Sequence, residues 1–107
     1  MAVAGKAIPA DVLPEVAVNL GGVPLAQYAT PSTDALALSL APFVQKFPAI
    51  LLQNHGVVTF GRTLEDAYYK MEKVEHAAHI LTVATLHGGA RPLPKGEVNR
   101  LTSVYKK

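Results

Sequence analysis

Two short hydrophobic runs stand at the centre of the chain, "AILLQ" at 49–53 and "VVTF" at 57–60. Both are rich in aliphatic and β-branched residues, and Gly56 and Gly61 mark the bends, which predicts two strands. Between them an asparagine and His55 place an amide and an imidazole inside the most strand-like part of the sequence. A core strand gains nothing from such polar groups unless something binds them.

Apolar residues at helical spacing predict a helix before these strands. Ser32 or Thr33 can cap its first turn, Pro42 kinks it and Pro48 ends it. Its apolar face carries Leu36, Leu40, Phe43, Val44 and Phe47.

A second, longer helix follows the strands. Thr63 caps it, and with Asp66 three residues later forms a variant of the capping box, whereas the glycine pair at 88–89 ends the helix. From 77 to 84 the apolar residues surround the helix, which predicts burial on several sides, as at a contact with another subunit. One apolar stripe holds Leu64, Ala67, Tyr68, Met71, Val74, Ala78, Leu81 and Thr85.

The two ends of the chain are more interrupted by proline and glycine. "EVAVNL" at 15–20 is compatible with a strand or a short helical turn, and "VPLAQYA" at 23–29 with a strand. A short helix over roughly 95–104 closes the chain. Strands mixed with helices in this way indicate α/β or α+β layering.

Composition limits the classes of function. At 107 residues, half of them hydrophobic and with a mean hydropathy of +0.22, the chain is one small domain or part of a larger one, not a disordered tail. The net charge of +2 is scattered, without the basic stripe that neutralises DNA phosphates, so no nucleic-acid partner is expected.

The cellular compartment is predicted from the absence of cysteine, of a signal-peptide pattern and of a membrane-spanning apolar run in this sequence. There is no cysteine, which excludes disulfides and thiolate metal sites. Neither a signal-peptide pattern nor an apolar run of ~20 residues is present, so we expect a cytoplasmic protein that does not span a membrane.

His55 has two readings. It can hydrogen-bond a loop carbonyl in a tight turn, with Gly56 at positive φ. Alternatively it is held between two strands at a sheet end, where ligands commonly bind. The spacing alone does not decide between them.

The other histidines have simpler explanations. His76 and His79 are three residues apart on one helix and could chelate a metal, but His76 points away from the apolar stripe and acidic residues lie one turn earlier, which favours a solvated face. The simplest interpretation of His87, next to Gly88, is a cation at the C-terminal end of the helix. Dinucleotide, P-loop and G-x-S-x-G motifs are absent, so no residue is assigned to cofactor binding.

Three segments together resemble one family: "GVPLAQYATPSTDALALSLAPFV", "PAILLQNHGVVTFGRTLEDAYYKMEKVEHAAHI" and "GGARPLPKGEVNRL". They look like class II aldolase/adducin proteins of the fuculose-1-phosphate aldolase and ribulose-phosphate epimerase branches, over about residues 2–105. The resemblance implies a partial three-layer α/β/α fold with a mainly antiparallel sheet. Residues 1–107 would form a single domain, the C-terminal portion of the family's domain, in a homo-oligomer with active sites at subunit boundaries.

The resemblance also implies a function, zinc-dependent aldol cleavage of a sugar phosphate such as fuculose 1-phosphate, giving dihydroxyacetone phosphate and an aldehyde. His55 corresponds to the last of three histidines that hold zinc or another divalent metal. The His-x-His pair and the catalytic glutamate belong to an upstream half that is not in this sequence. We therefore expect an incomplete enzyme, from a truncated or split reading frame, that needs a complementing N-terminal segment.

Two further residues are catalytic candidates because of where their segments lie in the family that the chain resembles. Glu15 lies where the family approaches a neighbouring subunit's site, and Tyr105 lies in a C-terminal tail that can cover the site. The alternative for the whole chain is a non-catalytic assembly module, as in the adducin branch; a purely structural descendant need not retain His55.

Overall fold

The computed structural model describes residues 1–105. The "EVAVNL" segment is a helix, with Pro14 at its first turn, where the missing N–H costs nothing. The strand at "VPLAQYA", the two central strands and the three other helices are confirmed. The elements are α1 (Pro14–Asn19), β1 (Leu25–Ala26), α2 (Asp34–Val44), β2 (Ala49–Leu52), β3 (Gly56–Thr59), α3 (Leu64–Leu86) and α4 (Glu97–Tyr105).

The sheet is small and mixed, with strand order β1-β2-β3. β2 runs parallel to β1 over two residue pairs and antiparallel to β3 over four. An isolated antiparallel bridge joins Ile8 to Val23 just before β1. Most pairing is therefore antiparallel, as expected for this α/β fold.

Helices cover both faces of the sheet. Alternation along β2 puts Ala49 and Leu51 on the face that contacts α3, and Ile50 on the other face, beside α2. Ile50 is fully buried. The core on the α3 face contains Ile8, Val16, Leu20, Val23, Val74, Ala77 and Leu81.

The start of α3 is fixed by local contacts. The Thr63 hydroxyl accepts a hydrogen bond from the Asp66 N–H at 3.0 Å, which confirms the predicted cap. The Asp66 carboxylate in turn accepts from the Arg62 N–H at 3.1 Å and from Lys70 at 2.9 Å. A Cβ on Gly61 would lie 2.6 Å from the next turn's backbone nitrogen, so glycine is required at this close approach.

Two sequence expectations about the helices need correction. The buried stripe of α3 is Val74, Ala77 and Leu81, while Leu64 is 88% exposed, because α1 and the sheet cover just the middle of this helix. The Thr33 hydroxyl does not cap α2; it donates to the Thr30 carbonyl at 2.6 Å. Within residues 1–105, no helix is long and apolar enough to cross a membrane.

Candidate functional site

The loop between β2 and β3 presents His55 at the end of the sheet. The backbone N–H of His55 donates to the Leu52 carbonyl at 2.9 Å, and the backbone N–H of Asn54 donates to the Ala2 carbonyl at 3.1 Å. Asn54 takes the left-handed conformation, with φ of 59°, so the expectation of positive φ at Gly56 is wrong. Asparagine tolerates this conformation because its short polar side chain can hydrogen-bond locally. Two backbone hydrogen bonds, at the adjacent residues Asn54 and His55, thus hold the loop, while the His55 side chain is exposed.

A divalent metal fits His55 as one ligand among several. The imidazole is exposed and takes part in none of the side-chain hydrogen bonds found in the described part of the chain, so a ring nitrogen is accessible to a metal ion. Within residues 1–105, however, no group of three or more His, Asp or Glu side chains could hold an ion. Protein zinc sites use three or four protein ligands, so these residues supply a ligand and not a complete site.

The helix histidines are exposed, in agreement with the solvated face expected for them. His76 nevertheless lines an open groove of about 390 Å³ between α1 and α3, together with Glu15, Tyr69, Glu72 and Lys73. Sequence reasoning missed this grouping because it depends on how α1 packs on α3. The groove combines carboxylates, an imidazole and an ammonium group, a set suited to hydrogen-bonding a polar ligand.

The two weaker catalytic candidates lie at one groove. Glu15 and Tyr105 line an opening of about 290 Å³ between α1 and α4, whose other walls are largely apolar. The segment before α4 is anchored by the Leu93 N–H, which donates to the Asp11 carbonyl at 2.6 Å. His55 lines neither this groove nor the one at His76.

Comparison with known proteins identifies the family. The model of the class II aldolase and adducin N-terminal domain matches residues 1–82. This chain belongs to the class II aldolase and adducin family. Relatives of the chain include enzymes named for sugar-phosphate substrates, such as the rhamnulose-1-phosphate aldolase of Mannheimia succiniciproducens, which is 33% identical over 70 residues.

Individual relatives carry different reaction names. The 3-oxo-tetronate 4-phosphate decarboxylase of Escherichia coli strain K12 is 36% identical over 93 residues, covering 84% of this chain and 42% of the relative. An L-fuculose 1-phosphate aldolase structure is 30% identical with a TM-score of 0.88, covering 99% of this chain and 50% of that one. YgbL of Klebsiella pneumoniae, titled a putative aldolase/epimerase/decarboxylase, is 32% identical with a TM-score of 0.76, covering 85% and 44%. The chain thus spans half or less of the length of each.

Proposed function

We propose that residues 1–107 form the C-terminal portion of a class II aldolase-type domain and supply the metal ligand His55 to an enzyme that breaks a carbon–carbon bond in a sugar phosphate. The reaction we favour is aldol cleavage of a substrate like fuculose 1-phosphate into dihydroxyacetone phosphate and an aldehyde. One observation carries the proposal: nearly the whole chain superposes on half of L-fuculose 1-phosphate aldolase.

His55 is suited to its proposed role by its backbone. Two backbone hydrogen bonds fix the loop, so the main chain of His55 is already ordered before any ion arrives and ion binding has to order just the side chain, which reduces the entropic cost of binding. Bound zinc, or another divalent ion, supplies Lewis acidity toward the oxygens of the substrate. In its neutral form the imidazole offers one nitrogen lone pair to such an ion.

Glu15 and Tyr105 are proposed to act on protons at the substrate. A carboxylate at the α1–α4 groove can accept a proton, and the phenol of Tyr105 can donate a hydrogen bond to a carbonyl or hydroxyl oxygen. Because His55 lines another part of the surface, these two residues would serve a neighbouring subunit's site in a homo-oligomer.

The remaining metal ligands, the catalytic glutamate and the phosphate-binding groups are proposed to come from a polypeptide segment outside residues 1–107. Two observations support this: the described residues contain no cluster of three ligands, and the chain spans half of L-fuculose 1-phosphate aldolase. By this account the chain alone binds zinc weakly and does not turn over substrate.

Reconstitution tests the function. The part of L-fuculose 1-phosphate aldolase that this chain does not cover is expressed with the chain, and release of dihydroxyacetone phosphate from fuculose 1-phosphate is followed with zinc or with EDTA. We expect zinc-dependent release that His55→Ala abolishes and His79→Ala preserves. Activity that survives His55→Ala would contradict the proposal. Parallel assays with a 3-oxo-tetronate 4-phosphate separate aldol cleavage from decarboxylation.

The alternative is the non-catalytic assembly module of the adducin type. The specific observation in its favour is the absence, within residues 1–105, of any three-ligand cluster. In that case the reconstituted complex would form without binding zinc tightly, and His55→Ala would change neither its assembly nor its metal content.

A further inference from the structure

Two residues other than glycine take the left-handed backbone conformation within residues 1–105, Ser32 with φ of 64° and Asn54 with φ of 59°. In this conformation the Cβ of an L-amino acid lies too close to the following carbonyl oxygen, which costs free energy. Such positions persist where the surrounding contacts require them, and they cluster at functional sites. Asn54 directly precedes His55, the proposed metal ligand.

A tight turn connects β2 to β3 at this position. The backbone N–H of His55 donates to the Leu52 carbonyl at 2.9 Å, which closes a four-residue turn over 52–55. Leu52 already pairs with Gly56 across the two strands, so residues 53–55 alone reverse the chain. A positive φ at the third residue is the requirement of a type II turn, which takes glycine or asparagine there.

The contacts on both sides of Asn54 require its left-handed conformation. Its φ and ψ are the two rotations that separate its own N–H from the N–H of His55. The first N–H donates to the Ala2 carbonyl and the second to the Leu52 carbonyl, which belong to different segments of the fold. A change of φ or ψ at Asn54 therefore breaks at least one of these two hydrogen bonds.

The side chain of Asn54 is not what holds the residue in this conformation. It is exposed and takes part in none of the side-chain hydrogen bonds found within residues 1–105. What the position uses is the tolerance of asparagine for positive φ, which exceeds that of alanine or of β-branched residues. Glycine shares this tolerance because it has no Cβ.

We propose that Asn54 is a positioning residue for His55. Its left-handed backbone sets the direction in which the imidazole leaves the turn, and so where a ring nitrogen meets a metal ion. The inference rests on the proposed function, because it takes His55 to be the metal ligand. Ligating side chains have to be held within about 0.5 Å of the productive geometry, so a rearranged turn weakens metal binding even when His55 is present.

Replacement of Asn54 by alanine should weaken zinc binding for a physical reason. Alanine favours a different turn, in which the backbone of His55 is displaced, and zinc binding then has to restore the left-handed conformation. The free-energy difference between the two turns becomes part of the binding free energy. For one L-residue in this conformation, the difference corresponds to a factor of about five or more in affinity.

Amide hydrogen exchange in the full chain, followed by NMR, tests the backbone part of the proposal. We expect the amides of residues 54 and 55 to exchange at least about fivefold faster in Asn54→Ala than in the unaltered chain. In Asn54→Gly they should stay within about twofold of the unaltered chain. Unchanged exchange of both amides in Asn54→Ala would overturn the proposal, since the turn would then not depend on residue 54.

Zinc titration by isothermal calorimetry tests the positioning of His55. It uses the two-part complex, in which the part of L-fuculose 1-phosphate aldolase that this chain does not cover is added separately or joined by a flexible linker. Asn54→Ala should bind zinc at least about fivefold more weakly, whereas Asn54→Gly should bind within about twofold of the unaltered complex. Unchanged affinity in Asn54→Ala would overturn the proposal. An equal loss in both variants would do so too, because the amide side chain would then be responsible.

Two control variants complete the titration. Thr63→Ala removes the cap of α3, beyond the opposite end of β3, and should lower the melting temperature without changing zinc affinity. A loss of affinity in Thr63→Ala equal to that in Asn54→Ala would contradict the proposal, since general loosening of the fold would explain both.

His55→Ala separates this inference from the proposed function. If His55→Ala leaves zinc binding unchanged, the proposed metal ligand is wrong and the positioning role falls with it. If His55→Ala abolishes binding while Asn54→Ala does not weaken it, the metal ligand stands and the positioning role alone is wrong.

Discussion

The two edges of the sheet differ in how completely they are covered. At β1 and β2, residues from α1, α3 and the N-terminal segment enclose a core in which Ala49 is fully buried and Leu51 is 4% exposed. At β3 all four residues are half-buried, and the first turns of α3 present large apolar side chains to water. Capping and close backbone contacts hold this open side together. The difference indicates that the chain has one well-packed core, on the α3 face of β1 and β2, and one side of the sheet where large apolar side chains stay exposed.

The largest expected effect contrasts the two sides directly. Leu51→Ala should lower the free energy of unfolding by about 2–5 kcal/mol, because it empties part of a packed core. Leu64→Ala, on the open side, should change it by about 0.5 kcal/mol or less. Urea denaturation of both variants measures the difference. Equal losses would mean that the open side is already part of the core in the chain alone.

Glycine variants test how tightly the open side is held at the β3–α3 junction. Gly61→Ala should cost about 1–3 kcal/mol, because its Cβ would clash with the backbone of α3. Gly56→Ala is the control, since a Cβ there meets nothing within 4 Å and φ is not positive. Denaturation midpoints of the two variants should therefore separate; coincident midpoints would show that the junction is loose.

The caps of the two long helices give a smaller contrast. Thr63→Ala removes a hydrogen bond to the Asp66 N–H and should cost about 1 kcal/mol. Thr33→Ala, at the start of α2, should cost less, since its hydroxyl makes no cap. Thermal melts of the pair measure the difference. A larger loss at Thr33 would contradict the capping assignment.

The smallest effect is a dependence on pH. The hydrogen bond from Lys70, and then the one from the Arg62 backbone, lower the pKa of Asp66 below 3.8. A lowered folded-state pKa stabilises the protein above the unfolded value, and this stabilisation is lost as pH falls through the folded value. Below pH 4, melting temperatures should therefore drop less in Asp66→Asn than in the unaltered chain.

Local features of this fold could be predicted from the sequence, whereas contacts between distant segments could not. The Thr63 cap and the two central strands depend on neighbouring residues, and both are confirmed. The "EVAVNL" segment could not be assigned from the sequence, because the spacing of its apolar residues fits both the two-residue period of a strand and the 3.6-residue period of a helix. In the structure it is a helix, which packs on α3 and α4. For the same reason, the grouping of Glu15 with His76 could not be read from positions so far apart in the chain.

The family resemblance singled out a candidate site residue that the spacing of residues alone did not. It pointed to His55, and the structure gives that residue an exposed side chain on a fixed loop. Its role as a metal ligand stays a prediction, as do the roles of Glu15 and Tyr105. The reason is physical, because a metal site is defined by several ligands together and residues 1–105 hold no such cluster.

Zinc titration of the two-part complex, by isothermal calorimetry, tests the central claim most directly. The account predicts weak binding to the chain alone and tight binding to the complex, lost in His55→Ala and retained in the double variant His76→Ala/His79→Ala. Tight binding by the chain alone that disappears with the helix histidines would contradict it, as would a complex whose zinc affinity does not depend on His55.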